Sequence, residues 1–182
     1  MILKIIAFTG MPFSGKTEAV QIAREKKIPI VRMGDMVWEE VKKRGLELSD
    51  KNVGFVANKM REKHGMHVWA ERTVEKIKSM DDVDFLVIDG IRNVEEIDIF
   101  KKELGEEFIV IAIEVSDKTR HERAMIRSRQ DDSKDIEKVK ERDRREIGWG
   151  LAEVIASSDI VISNEKDIES FKAEIRKIFD KI

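Results

Sequence analysis

The stretch Ile2-Leu3-Lys4-Ile5-Ile6-Ala7-Phe8-Thr9-Gly10-Met11-Pro12-Phe13-Ser14-Gly15-Lys16-Thr17 decides how this chain folds. Its first half is a short apolar run of the kind that forms a strand buried on both faces. Its second half fits G-x-x-x-x-G-K-[ST], a loop whose residue types follow from the task of holding a polyphosphate. Gly10 and Gly15 allow torsions and close approach that a Cβ would block. Backbone N–H groups then converge on phosphate oxygens at a helix start, where orphan donors and the dipole favour an anion. Lys16 supplies a point charge for the β- and γ-phosphates, and the Thr17 hydroxyl is a ligand for Mg²⁺. Behind the loop, Ala19, Val20, Ile22 and Ala23 share one helix face. The expected nucleotide-binding set is Gly10, Met11, Pro12, Phe13, Ser14, Gly15, Lys16, Thr17 and Glu18. A nucleoside triphosphate, taken as ATP, and Mg²⁺ are the implied cofactors.

Outward from the loop, 182 residues suit one domain with a sizeable core. Charged residues make up 40% of the chain, yet the formal net charge is only −2. A surface that coats nucleic acid is therefore not expected. Abundant Lys and Glu without cysteine lean towards a thermophilic source with ion-pair networks. The absence of cysteine excludes disulfides, thiolate zinc sites and a cysteine nucleophile. No signal-peptide pattern opens the chain, and no apolar run approaches the ~20 residues of a membrane helix. The expectation is a soluble, cytoplasmic protein, monomeric or homodimeric, with a small molecule as partner.

Apolar runs at 28–33, 84–89, 108–115 and 160–162 supply four more strands, the second ending at Gly34-Asp35. Helical patterns fall at 36–43, 50–63, 67–80, 93–104, 117–129, 134–147 and 167–182, with Ser49 or Asp50 as an N-cap. A break is expected near Gln130-Asp131-Asp132-Ser133. Short uninterrupted strands separated by helices predict an α/β three-layer sandwich around a five-stranded parallel sheet.

Three strand ends would deliver polar groups to one crevice, at Gly10, Asp35 and Asp89, since ligands of open α/β sheets gather there. Asp89 follows four apolar residues, the pattern of a carboxylate that helps hold Mg²⁺ or its waters, although a turn or N-cap role fits it too. Arg92 beside it is a natural clamp for a planar anion. The plainer reading of Arg92 pairs it with Glu95 or Glu96. Residues 120–145 hold seven of the fourteen arginines, and Arg120, Arg123 and Arg127 lie on one helical face. Three adjacent cations need anions, which a transferring phosphoryl group supplies. A salt-bridged surface drawing on Glu122, Asp131 and Asp132 is the other reading. His64, His67 and His121 make no ligand pattern. Trp38, Trp69 and Trp149 suit a core or pocket wall better than a stacking platform.

With these motifs placed, the whole chain resembles small P-loop kinases. It is similar to nucleoside-monophosphate kinases and dephospho-CoA kinases, and most of all to an archaeal group related to the latter. Gly34-Asp35-Met36 resembles the Gly-Asp pair that opens the acceptor-binding helix of adenylate kinases. Residues 117–147 look like their lid. Ser158-Asp159-Ile160-Val161-Ile162-Ser163-Asn164 resembles the last strand of dephospho-CoA kinases, which would bring Asn164 to Lys166 near the adenine. Two departures stand out. Trp38 occupies the place of an arginine, and Asp89-Gly90-Ile91-Arg92 is one residue shorter than Asp-Gly-x-Pro-Arg. Arg61 is then the candidate for the acceptor phosphate.

The resemblance implies a core of residues 1–33, 81–116 and 151–182, an acceptor-binding insertion at 34–80 and a lid at 117–150. Lys16, Asp89, Arg92, Arg123 and Arg127 would be catalytic, with Thr17 and Asp89 on the metal. Arg120 and Asn164 would bind nucleotide, and Asp35, Arg61 and Arg92 the acceptor. The expected reaction moves the γ-phosphoryl group of ATP to a nucleoside monophosphate or a dephospho-CoA-like nucleotide. An ATP-dependent accessory or switch protein without an acceptor is the other class. A GTPase is disfavoured because Asn164-Glu165-Lys166-Asp167 has the wrong order for guanine recognition and instead suits helix capping.

Overall fold

In the computed structural model, which describes residues 3–105, 107–126 and 135–181, the opening apolar run forms β1 (Lys4–Thr9). Every β1 residue after Lys4 is buried. Four more strands join it: β2 (Ile30–Arg32), β3 (Phe85–Asp89), β4 (Phe108–Glu114) and β5 (Ile160–Ser163). All pair in parallel, in the order β2-β3-β1-β4-β5. Ile5 of β1 is thereby level with Leu86 on one side and Phe108 on the other.

Alternation along β1 sends successive side chains to opposite faces. Ile5 and Ala7 join Leu86, Ile88 and Val110 against α2 (Met33–Lys43), α4 (Val68–Lys78), α5 (Val94–Leu104) and α8 (Leu151–Ala156). Trp69, Phe100 and Val154 close that face. Ile6 and Phe8 join Val87, Ile111 and Ile113 on the other, against α1 (Lys16–Glu25) and α9 (Ile168–Lys181). Two apolar cores with a sheet between them make the three-layer α/β sandwich. Each fully buried aliphatic or aromatic side chain contributes roughly 1.5–3 kcal/mol to holding it.

Three further helices cover the carboxyl edge of the sheet. α3 (Asp50–His64) starts at Ser49, whose hydroxyl accepts from the Asn52 N–H at 3.3 Å. α6 (Asp117–Ile126) and α7 (Ile136–Gly148) form a hairpin seated on the phosphate loop through Phe13, Ala124 and Val139. The expected break near residues 130–133, together with Arg127 and Arg129, lies outside the described residues.

The strand expected to end at Gly34-Asp35 is shorter. Arg32, with extended torsions, caps α2 directly, so Gly34 and Asp35 belong to the first helical turn. Ile28 and Pro29 precede β2, although the Pro29 carbonyl still accepts from the Val87 N–H at 2.9 Å. α8 has no counterpart in the sequence reading. At six residues, entered through Gly150 at φ 103°, it is too short to show a period.

Candidate functional site

The phosphate loop crosses from β1 to α1 with three positive-φ residues, Gly10 (140°), Phe13 (63°) and Gly15 (106°). A Cβ on Gly10 would lie 2.5 Å from the Ile113 carbonyl oxygen, and one on Gly15 2.1 Å from Asn164 Nδ2. These glycines are thus demanded by space as well as torsion. Phe13 tolerates its strained torsion because the hairpin grips its ring: Ala124 and Val139 pack on it and the Arg142 guanidinium lies 5.8 Å from its centroid. Lys16 Nζ donates to the carbonyls of Gly10 (2.6 Å) and Met11 (2.9 Å). Burial, reinforced by Arg92, lowers the Lys16 pKa to about 7. Thr17 and Glu18 follow in the first turn of α1.

Asn164 and Arg123 brace the loop from outside. Asn164 Nδ2 donates to the Ser14 carbonyl at 2.8 Å, and Arg123 donates to the carbonyls of Asn164 (2.8 Å) and Ser14 (3.4 Å). Asn164 Oδ1 and Ser14 Oγ are buried without a hydrogen-bond partner. Arg120, 1% exposed, is placed differently from its neighbour three residues on. It grips Asp143 with two bonds (3.0 and 2.9 Å), pairs with Asp117 and donates to the Pro12 carbonyl at 3.0 Å. The anions that the arginine face needs are, for Arg120, internal carboxylates. Its task here is to lock the hairpin to the loop backbone.

Asp89 ends β3 in the same crevice, 3.7 Å from Arg32 Nε. Asp35 pairs with Arg32 at 3.2 Å, and its carboxylate is 44% exposed. Burial, opposed by Arg32, pushes the Asp35 pKa up. The crevice wall beside it comes from Met33, Gly34 and Trp38. Neither Glu95 nor Glu96 takes the Arg92 guanidinium. Glu96 accepts from the Arg92 backbone N–H at 2.7 Å, while Arg92 Nε lies 2.7 Å from Glu146 Oε2. Arg61 is buried against Glu96 at 3.0 Å, with its guanidinium 4.2 Å over the Trp149 ring.

Four residues of the crevice lining had no site assignment in the sequence reading: Asp50, taken there as a possible N-cap, Arg142 and Arg145, counted there among the clustered arginines, and Glu146. Arg142, Arg145, Glu146 and Trp149 recur at i, i+3, i+4 and i+7, so one helical face was available as a signal. Glu146 Oε1 accepts from Arg142 Nε at 3.0 Å. Burial would raise the Glu146 pKa, but Arg92, Arg142 and Lys16 outweigh it and hold it at about 2. Arg145 donates to both oxygens of Asp50 (2.8 and 3.2 Å), tying α7 to α3. Trp149 takes its place between Arg61 and Arg145, its indole N–H donating to Asn58 at 3.2 Å.

Most of these residues line a crevice of about 490 Å³, whose lining includes neither Asp35 nor Arg120. One end is the phosphate loop with Arg123, Asn164 and Lys166; the other is Val37, Trp38, Val53, Ala57, Arg61 and Trp149. Lys16, Asp89, Arg92 and Glu146 lie between. A polyphosphate fits the loop end, where the cation and the unpartnered Ser14 hydroxyl are. Among the described residues no cluster of three or more His, Asp or Glu could hold a metal by itself. Mg²⁺ needs only one or two protein oxygens and completes its shell from phosphate and water. Thr17 and Asp89 are the residues that would supply them. No described helix is long and apolar enough to cross a membrane.

The AAA domain family model matches residues 9–140. The UPF0200/UPF0201 protein of Archaeoglobus fulgidus is 46% identical over 181 residues, which is 99% of this chain and 56% of that one. The chain thus spans little more than half of that relative. The UPF0200 protein of Methanosarcina barkeri is 44% identical over 97% of this chain and 94% of its own. In fold, the chain is similar to the crystal structure of shikimate kinase from Aquifex aeolicus, with a TM-score of 0.53 over 97% of this chain and 96% of that one. At 17% identity that likeness concerns the fold alone.

Proposed function

The chain belongs to the UPF0200 family and carries an AAA domain with a P-loop kinase-like fold, and from that premise we propose that it is an ATP-dependent phosphotransferase acting on a small nucleotide. The observation that carries the reading is the crevice itself. Its lining takes in the phosphate loop, Lys16, Asp89 and Arg92, and also Gly34, Val37, Trp38, Val53, Ala57 and Arg61 from the helices of residues 34–80. A hydrolase needs only the first half. Aromatic and cationic walls in the same crevice as the phosphate loop are what a second substrate requires.

In this reading residues 117–150 serve as the lid and residues 34–80 as the acceptor side. The donor's base would lie beside Asn164 and Lys166. The metal held at Thr17 and Asp89 would neutralise charge on the donor phosphates. Lys16, Arg92 and Arg123 hold the negative charge that develops as the γ-phosphoryl group leaves its bridging oxygen and bonds to an acceptor oxygen. Arg127 would add to them. Trp38 offers a wall to an acceptor base, with Arg61 and Arg92 for its phosphate and Asp35, on the same helix as Trp38 but outside the crevice lining, as a further acceptor-side group. A nucleoside monophosphate and a dephospho-CoA-like nucleotide both match this chemistry.

The deciding experiment is an ADP-release screen with nucleoside monophosphates, deoxynucleotides and dephospho-CoA. At least one acceptor should raise ATP turnover by orders of magnitude above the background rate. Slow ATP turnover that no acceptor accelerates would replace the phosphotransferase with an ATP-dependent accessory protein.

A further inference from the structure

Glu146 is an anion set among the cations of the crevice. The residue is 3% exposed. Its carboxylate meets Arg92 at 2.7 Å and Arg142 at 3.0 Å, and Lys16 is near enough to stabilise its charge. These cations come from three places: the phosphate loop, the turn after β3 and α7. The other cations of the wall have different partners. Arg145 is taken by Asp50, and Arg123 and Lys16 by backbone carbonyls. Glu146 is the carboxylate that meets Arg92 in the crevice, where Asp89 pairs with Arg32 and Asp50 with Arg145.

We propose that Glu146 is an internal competitor of the phosphoryl anion, holding Arg92 and Arg142 until a multiply charged phosphate displaces it. The inference rests on the phosphotransferase reading, in which Arg92 and Lys16 are the groups that take up phosphate charge. Glu146 is built to be released. Its Oε2 sits close to Arg92 but makes no aligned hydrogen bond, so charge alone holds that half of the contact. The Arg120–Asp143 pair, with two directed bonds, shows what a permanent link looks like in the same hairpin. Gly148 and Gly150 flank Trp149 at the exit of α7, giving the backbone freedom to let the carboxylate swing away. The competitor also sets a charge threshold. A phosphate carrying several charges outbids one carboxylate at these cations, whereas a monoanion does not.

Apparent affinity falls by the fraction of molecules whose cations are free. If Glu146 occupies them in about nine molecules of ten, its removal should tighten anion binding about tenfold. Inorganic tripolyphosphate is the probe, titrated calorimetrically at constant ionic strength into the wild-type protein and into Glu146→Gln, which keeps shape and removes charge. The expected result is binding about tenfold tighter in the variant, with acetate competing against tripolyphosphate there and not in the wild type. Unchanged or weaker binding, or equal competition by acetate, overturns the proposal; weaker binding would make Glu146 a positioning residue for Arg92. Arg142 keeps Asp50 at 3.6 Å, but taking the carboxylate from Arg92 can lower the variant's stability. Its melting temperature should then rise more on adding tripolyphosphate than the wild type's does, and an equal or smaller rise also overturns the idea. Wild-type protein that fails to bind tripolyphosphate removes the phosphate-loop reading as well, whereas normal wild-type binding without a gain in the variant removes the competitor alone.

Discussion

Arg120 and Arg123 are three positions apart on α6, and their surroundings assign them opposite tasks. Removing Arg120 would leave Asp143 buried with His121, 3.2 Å away, as its one remaining charged partner among the described residues. Breaking a buried pair in this way costs about 3–5 kcal/mol. Among the described residues Arg123 donates to carbonyls at the edge of the loop. Arg123→Ala should cost less than about 1 kcal/mol in denaturant unfolding yet lower kcat about a hundredfold. The pattern of arginines at i, i+3 and i+7 was legible, but the sequence could not say which of them the protein neutralises itself. That depends on Asp143, which comes from the next helix. Glu146 was hidden for the same reason, because its partners Arg92 and Lys16 are remote in sequence. Lys16 carries a pH prediction. Its folded pKa of about 7 lies below the ordinary lysine value of 10.5, so the unfolded chain binds its proton more tightly between those values. Stability from this group therefore rises with pH across that window. A bound polyphosphate reverses the preference by favouring the charged amine. Tripolyphosphate should thus take up a proton on binding at about pH 8 and bind more weakly as pH rises further. Calorimetry in buffers of different ionisation enthalpy reads the uptake directly. Its persistence in Lys16→Met would assign it elsewhere.

Between elements, α7 is fastened to α3 through a gap left by a missing side chain. A Cβ on Gly54 would lie 2.6 Å from Arg145 Cζ, in the space through which Arg145 reaches Asp50. Glycine inside a helix ordinarily costs about 1 kcal/mol relative to alanine. Gly54→Ala should therefore be close to neutral in the wild type, its helix gain offset by the displaced ion pair. In an Arg145→Ala background the same change should stabilise by about 1 kcal/mol. Strict additivity in this double-mutant cycle would mean that Arg145 simply steps aside. A second fastening joins α2 to α4, where Glu40 accepts from Arg44 (2.8 Å) and Arg72 (2.9 Å). Those bonds, chiefly the one from Arg72, lower the Glu40 pKa to about 2. A depressed carboxylate contributes fully above its unfolded pKa, and the contribution is lost as pH falls through the folded one. Glu40→Gln should accordingly cost about 1–2 kcal/mol near neutrality and nothing at about pH 2. The helices themselves were readable wherever several turns repeat one apolar face. The start of α2 was not, since no punctuating residue separates it from β2, and neither was α8, which spans less than two turns.

At the scale of the molecule, the strand order puts β1 between β3 and β4, so the phosphate loop rises from the middle of the sheet. The uninterrupted apolar strands made the parallel sheet and its two covered faces legible. The order of the strands was not, because every one of them is apolar enough to be central. That order sets Asn164 and Lys166, after β5, on one flank of the loop, where the proposed function puts the donor's base. It sets Met33, Gly34, Val37 and Trp38 after β2, and Arg92 after β3, on the other, where that reading puts the acceptor. Glu146 reaches the seam between the flanks, which gives the competitor a consequence for both substrates. Whichever ligand binds first must displace the carboxylate, and the second then meets cations already released. Donor and acceptor should therefore bind with positive coupling of about tenfold, equal in both directions because linkage is reciprocal. The measurement is a titration of the acceptor found in the ADP-release screen, with and without a non-hydrolysable ATP analogue, and the reverse titration. In Glu146→Gln both affinities should start higher and the coupling should fall towards unity. Coupling as large in the variant as in the wild type would place its origin in movement of the hairpin as a whole, and Glu146 would then have no part in joining the two sites.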